Sequence, residues 1–472
     1  MARQVPLLLR RNEELEVLAS EVPLLLKRIE ELEAQLGKSS RNSSKPPSSD
    51  GPEVEKSGKK RGSGRKRGGQ SDQKRRGREP VPVEQVQALI PCKPVECRGC
   101  KQALSGTDAT PYRHQVFELP EVKAYVFEYQ LHSLKCEGCH VVTRAPIPLG
   151  VPCGQFGPRL QAVMAVCSGA YRLSKRSIKE LMHDFFGVQV SLGTISKLER
   201  ATSEALRQPY EQVARAIGNQ PVVHADETGW YEQSKRAWLW TALCPFFAVF
   251  LISPSRATLV AKQLIGECFS GFLVSDRWSA YNFVDTAKRQ LCWAHIIRDF
   301  RAFSAYGQEA KALSEKLESL AAVMFHYWHQ VRDGTLSRPD FAALMQPVRT
   351  DIEALLTEGK AMSGIGRKCQ NFLKFKAALW TFILVEGIEP TNNIAERAVR
   401  HAVIWRKACF GTDSPNGSRF VERILTVVTT LRMQNKNVLH YVTNACRDAL
   451  YGHNTASLLP EHWGNADLKP IE

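Results

Sequence analysis

No apolar run in this chain reaches the roughly 20 residues that a membrane-spanning helix requires. The longest, Trp238 to Ile252, is shorter and is broken by Pro245. The segment after Met1 lacks the apolar core and small-residue cleavage site of a secretory signal. A paired-cysteine framework is missing as well: the thirteen cysteines are odd in number and scattered, which fits a reducing cytosol. Acidic residues are in deficit, 48 Asp and Glu against 64 Lys and Arg, for a net charge of +16 and a pI near 9.3. Such a balance favours a polyanionic partner, nucleic acid before an anionic membrane surface. What remains is an intracellular, nucleic-acid-oriented chain of 472 residues, long enough for several domains and a large core.

Leu15, Leu18, Val22, Leu25, Ile29, Leu32 and Leu36 alternate spacings of three and four, an a/d seam that predicts a short coiled coil over 10–37 and self-association through it. Pro23 interrupts that seam, and one amphipathic helix packed on its own protein is the plainer alternative. Residues 38–90 then read as a disordered basic linker. Within it, residues 51–80 carry 11 Lys and Arg against 4 Asp and Glu, including Lys59, Lys60 and Arg61. This segment is either a solvated spacer or a sequence-blind phosphate-binding arm, and the two roles are compatible.

Cys97-Arg98-Gly99-Cys100 and Cys136-Glu137-Gly138-Cys139 are matched Cys-x-x-Cys knuckles, each with a glycine for the tight turn. Separated by alternating segments such as 125–131, they predict a zinc ribbon over 91–150, with Cys97, Cys100, Cys136 and Cys139 holding one structural Zn²⁺. Cys92 and His140 are alternative ligands, and a redox dithiol is the weaker reading. Over 151–218 the pattern turns helical. A helix from Ser174, a turn at Gly187 and a second helix capped at Ser191 fit either a helix-turn-helix or an ordinary helical hairpin. In the first case Thr194, Ser196 and Lys197 would meet a groove or phosphates.

From residue 219 the chain alternates differently. Strands containing Asp226, 237–243 and 248–252 precede a helix at 257–265, a strand ending at Asp276, and a further strand over 290–293. That order predicts a ribonuclease H-like α/β core over 219–412, with a helical insertion at about 299–388 and a C-terminal helical region over 413–472. Leu313, Leu317, Leu320, Met324, Tyr327 and Trp328 read as one core face of the insertion. Carboxylates are seldom buried unless paired or metal-bound. Asp226, Asp276 and Glu396 thus become candidates to share two Mg²⁺ ions, or Mn²⁺, about 4 Å apart for in-line displacement at phosphorus. Each has a plainer role: strand-end turns for the aspartates and a capping box, Asn393-Ile394-Ala395-Glu396, for the glutamate. Glu227 could stand in for Asp226, but strand alternation lets only one of the pair face the site. Arg397, Arg400, Arg406 and Lys407 follow Glu396; Arg400 and Lys407 share its face if the helix runs on. They are either cations beside a phosphate or a solvated basic helix.

HADETGW (224–230), SDRWSAY (275–281), CWAHIIRDF (292–300), TNNIAERAVR (391–400) and WRKACFG (405–411) together resemble the insertion-sequence sixty-six family of bacterial DDE transposases. So does the SSRNSSKPPSSD block (39–50) after a leucine zipper, and the cysteine-rich region. The resemblance spans residues 15–450. It implies catalytic Asp226, Asp276 and Glu396, a cytoplasmic, nucleoid-associated protein, and DNA partners: the element's terminal inverted repeats and target DNA. It also implies cleavage that frees a 3′-hydroxyl, which then attacks target DNA without a covalent protein intermediate, with or without accessory proteins of the same element. The role of His295 stays open, a packed strand histidine being one alternative. A zinc-containing DNA-binding regulator derived from a transposase, with no catalysis, is the reading of a different class.

Overall fold

The computed structural model describes Val22 and residues 79–460, which fall in two compact units: 79–123 belong to one, and Val22 with 124–460 to the other. Apart from Val22, the heptad seam lies outside the described residues, as do Lys59, Lys60 and Arg61 of the basic arm and the chain beyond 460.

In the smaller unit the first knuckle is a tight turn. The Cys97 N–H donates to the Gln102 carbonyl (2.8 Å), and the Lys101 N–H returns to the Cys97 carbonyl (3.0 Å). The second knuckle, in the larger unit, repeats this pattern locally: the Cys136 N–H donates to Val141 (2.9 Å) and the His140 N–H to Cys136 (2.8 Å). It joins strands β1 (Ser133–Lys135) and β2 (Val142–Arg144), an antiparallel pair. In both turns the left-handed residue is not the glycine but the residue after the second cysteine, Lys101 (φ 63°) and His140 (φ 60°). Residues 125–131, alternating like a strand, form no strand.

Four helices follow: α1 (Pro158–Gly169), α2 (Lys175–Phe186), α3 (Leu192–Ala205) and α4 (Arg207–Ala216). Their ends obey capping chemistry. The Ser174 and Ser191 side chains accept the backbone N–H of Ser177 and Thr194, and Gly187 ends α2 at φ 67°, where a side chain would be strained. Met164, Ile178, Met182, Val190 and Ile195 form a small core that locks α1–α3 together.

The centre of the larger unit is a five-stranded sheet of β3 (Val222–Glu232), β4 (Lys235–Leu243), β5 (Ala248–Ser253), β6 (Phe272–Ser275) and β7 (Arg289–Leu291), in the order β5-β4-β3-β6-β7. β3, β4 and β5 are antiparallel; β6 and β7 run parallel to β3. Helix α5 (Thr258–Ile265) links β5 to β6. The expected strand at 290–293 is shorter. It ends at Leu291, and Trp293 opens helix α6 (Trp293–Phe303). A short apolar run does not by itself distinguish strand from helix. Here the indole settles it, donating to the Leu379 carbonyl (2.8 Å) and packing on Trp380.

Between α6 and the last helices stand α7 (Gln308–Arg332), α8 (Arg338–Gly359), α9 (Gly366–Lys374) and the short α10 (Thr381–Leu384). Leu313, Leu317, Met324 and Trp328 are buried in a core shared with Val274 and Leu291, and Leu320 and Tyr327 pack against it. These helices therefore pack on the β6–β7 side of the sheet. The chain then returns through α11 (Asn393–Cys409), α12 (Pro415–Met433) and α13 (Val438–Leu450).

Helix α12 seals the β5 edge. The outward N–H groups of Ala248, Phe250 and Ile252 donate to Thr430 Oγ1 (3.1 Å), Thr426 Oγ1 (3.0 Å) and Glu422 Oε1 (2.7 Å). Four helical residues rise about 6 Å and two strand residues about 6.6 Å, so acceptors every fourth position match donors every second one. The edge is thereby closed to further strands.

Candidate active site

Register positions two of the acids. Val222, Val223 and His224 of β3 pair with Phe272, Leu273 and Val274 of β6, and Val274 pairs with Gln290 of β7. Carried two residues further, the same register brings Asp226 level with Asp276 and Cys292, which follow the carboxyl ends of β6 and β7; Asp226, expected at a strand end, instead lies within β3, which runs on to Glu232 beside β4. Alternation keeps them on the face of His224 and Val274.

The third acid arrives with α11, and Asn392 pins that helix to the strand. Its Nδ2 donates to the Ala225 carbonyl (2.8 Å), its Oδ1 meets His224 Nδ1 (3.0 Å), and its N–H donates to Cys292 Sγ (3.2 Å). Asn392 is the N-cap of α11, yet its side chain makes no capping bond. Glu396 does not close a capping box either. Its carboxylate faces α6, with His295 Nδ1 at 3.6 Å, Arg298 at 4.0 Å and the Cys292 thiol donating at 3.9 Å. His295 thus sits in the first turn of α6 beside Glu396, rather than on a strand.

Electrostatics separate the acids from their neighbour. Asp226 keeps some solvent access but lies in a crowded recess. Burial pushes its carboxyl well above the usual range, and the nearby charges of Glu227, Asp276 and Glu396 push it further. Glu227, one residue on, points to the other face. There Arg256 donates to its Oε1 (2.5 Å) and Tyr281 to its Oε2 (2.6 Å). Burial and Asp276 still raise its carboxyl, against the lowering pull of Tyr281 and Arg256. Arg256 is itself stacked over Trp278 (3.8 Å) and beside Trp238 (4.7 Å). Asp276 Oδ1 accepts the Trp278 N–H (2.8 Å), a side-chain-stabilised turn, and buried Arg289 donates to the Asp276 carbonyl (3.1 Å). His224 is pushed down to about 4 by burial, so at neutral pH it is uncharged and its Nδ1–H donates to Asn392.

The remaining candidates divide. Lys197, Arg397, Arg400 and Lys407 are exposed. Arg406 donates to the Gly229 carbonyl and to Thr228 Oγ1 (3.4 Å), tying α11 to β3. Thr194 Oγ1 shares a hydrogen bond with the capping Ser191 (2.9 Å), and Ser196 Oγ accepts from Lys175 Nζ (2.7 Å). Ser196 and Lys197 line a polar crevice of about 320 Å³ together with Lys175, Arg200, Ser414 and Gly417, between α3 and the start of α12. A larger groove of about 620 Å³ lies between α7 and α8, and none of the acids lines it. In the knuckles, hydrogen bonds from the second cysteine of each pair lower the Cys97 and Cys136 thiols.

Sequence reasoning overlooked Asn392 and Cys292. Both stood within motifs already singled out, but nothing in their spacing tells that one pins a helix to a strand and the other lies level with Asp276.

Residues 153–419 match the family model described as Transposase IS66 family, and residues 7–79 match a family of unknown function (DUF6444). Two proteins of Sinorhizobium fredii are similar to the chain. Uncharacterized protein y4qI is 25% identical over 400 residues, 76% of this chain and 72% of that protein. Uncharacterized protein y4hP is 23% identical over 454 residues, 84% of this chain and 79% of that protein. The matched segment runs from the helices before the sheet, across Asp226, Asp276 and Glu396, into α12, and on that match the chain belongs to the IS66 family of transposases.

Proposed function

We propose that this transposase binds the ends of its insertion sequence, cleaves DNA phosphodiester bonds there and joins the 3′-hydroxyl ends to target DNA. Its core is read as ribonuclease H-like and of the DDE type. The observation that carries this is the crowding of carboxylates around Asp226: Glu227, Asp276 and Glu396 all act on it, while Arg256 is paired with Glu227, Arg289 with the Asp276 carbonyl, and Arg298 stands 4.0 Å from Glu396. A cluster of carboxylate oxygens of this kind fits hard divalent ions. Asp226, Asp276 and Glu396 would hold two Mg²⁺ or Mn²⁺ ions. When bound, such ions supply activation of the attacking oxygen and stabilisation of the leaving one.

The chain's own residues do the positioning. Register sets the two aspartates, the turn at Trp278 aims the Asp276 carboxylate, and Asn392 brings Glu396 to them. Exposed Lys197, Arg397, Arg400 and Lys407 supply phosphate contacts, with Thr194, Ser196, Arg406 and the arm at Lys59, Lys60 and Arg61 as further candidates. Cys97, Cys100, Cys136 and Cys139 would hold a structural Zn²⁺, and the N-terminal seam would form a homo-oligomer, with or without accessory proteins of the element. All of this takes place in the bacterial cytoplasm, at the nucleoid.

The test is strand cleavage by the purified protein on DNA carrying the element's ends, with Mg²⁺. Asp226→Asn, Asp276→Asn and Glu396→Gln should each lower cleavage by at least about 10²-fold, more than the loss of an outer-shell metal partner, while leaving end binding intact. Normal cutting by Asp226→Asn would sink the assignment. End binding that is indifferent to Mg²⁺, with no nicking by the wild type, would identify a regulator instead.

A further inference from the structure

Three side chains cluster at the edge of the acid site, and two of them, a thiol and an imidazole, have donor chemistry that a pair of Mg²⁺ ions does not call for. Cys292 is the N-cap of α6, His295 lies in its first turn, and Glu396 faces both from α11. One ligand atom from each lies within 4.8 Å of the other two. Among the described residues it is this trio that closes to such a spacing, and the three acids do not.

A second observation points the same way. His295 Nδ1 is buried with no hydrogen-bond partner, although a Glu396 carboxylate oxygen stands 3.6 Å away. A buried nitrogen left unpaired is costly unless something else satisfies it. Behind the thiol, the Asn392 N–H donates to Cys292 Sγ (3.2 Å), the kind of outer-shell donor that steadies a ligating thiolate.

The geometry points to a transition-metal site of the zinc class formed by Cys292, His295 and Glu396, in which Glu396 is shared with the acid site, so that zinc and magnesium compete for it. The sharing rests on the reading of Glu396 as the third acid. Thiolate and imidazole donors select Zn²⁺ over Mg²⁺, which prefers oxygen. Three protein ligands leave a fourth position open to solvent. On coordination the Cys292 thiol gives up its proton to solvent, since a coordinating thiol is deprotonated outright.

Co²⁺ is the probe, titrated into the full-length, metal-stripped protein without DNA. Wild type is compared with Cys292→Ser, His295→Gln, Glu396→Gln and Asp226→Asn, each checked for folding by circular dichroism. The knuckle cysteines contribute equally to all five proteins, so differences report this site. Cys292→Ser should lose one thiolate-to-cobalt charge-transfer component and one tightly bound equivalent. His295→Gln and Glu396→Gln should weaken that equivalent by about 10-fold or more, and Asp226→Asn should keep it. Identical spectra and stoichiometry across the set would overturn the site. Wild-type binding by Glu396→Gln, with the loss confined to Cys292→Ser and His295→Gln, would overturn the competition. Because the readout is binding, it stands apart from whether Asp226→Asn abolishes cleavage.

Discussion

Asp226 and Glu227 are neighbours on one strand with opposite circumstances. On the β3 face that carries Glu227, the carboxylate is enclosed, only 1% exposed, and both of its oxygens are occupied by Arg256 and Tyr281. On the opposite face, Asp226 sees mainly like charges and accepts one backbone N–H from Glu227 (2.9 Å). The first arrangement is a structural tie that fixes the strand against the loop carrying Trp278. The second is an electrostatic strain that the fold sustains and that a cation would relieve. Side-chain type does not distinguish a tied acid from a strained one here; the partners on each face do.

The largest effect should come from breaking the tied face. Arg256→Ala leaves Glu227 buried and unpaired, and should destabilise the protein by about 3–5 kcal/mol in urea unfolding. A loss below ~1 kcal/mol would mean that the ion pair does not hold the strand. Next is the pin between the faces: Asn392→Ala removes bonds to Ala225, and to His224, and should cost about 2 kcal/mol. The same variant should depress cleavage more than DNA binding, because Glu396 loses its anchor; a proportionate fall in both would argue for a general folding defect.

On the strained face the sign reverses. The Asp226 carboxyl holds its proton more tightly in the folded than in the unfolded chain. Its contribution to stability therefore falls as pH rises from the ordinary value of 3.8 through the raised folded one. In EDTA at pH 8, Asp226→Asn should be more stable than wild type, and Mg²⁺ should raise the melting temperature of the wild type but not of the variant. A destabilised variant under those conditions would contradict the strain.

The smallest effect belongs to His224, whose folded value of about 4 lies below its ordinary 6.5. The unfolded chain binds the extra proton, so stability is present above pH 6.5 and declines as pH falls toward 4. Between pH 6.5 and 5.5 the loss should be about 1 kcal/mol. His224→Gln should flatten that limb in a melting series, and an unchanged slope would remove His224 as its source.

Much of the helical architecture was legible because it is written in local chemistry. Ser174, Gly187 and Ser191 mark their caps through side-chain acceptors and a left-handed turn, and Leu313, Leu317 and Met324 mark a core face by spacing. The same local logic misplaced features where local chemistry is ambiguous. The Cys292-Trp293 step reads as strand until Trp293 finds Leu379 and Trp380 in the insertion. Glycine in each knuckle invites the left-handed turn, which falls instead on Lys101 and His140. Glu396 has the spacing of a capping residue, and only the approach of α6 shows its carboxylate facing His295.

By itself the sequence marked most of the helices through their caps and apolar spacing and showed, through alternation along β3, that Asp226 and Glu227 part to opposite faces. Tertiary structure decided the rest. Levelling Asp226 with Asp276 and Cys292 depends on inter-strand register, and bringing Glu396 to them depends on Asn392 crossing 167 positions of sequence to Ala225. Neither is encoded in a local window, because register and long-range hydrogen bonds are fixed by which faces must be buried together.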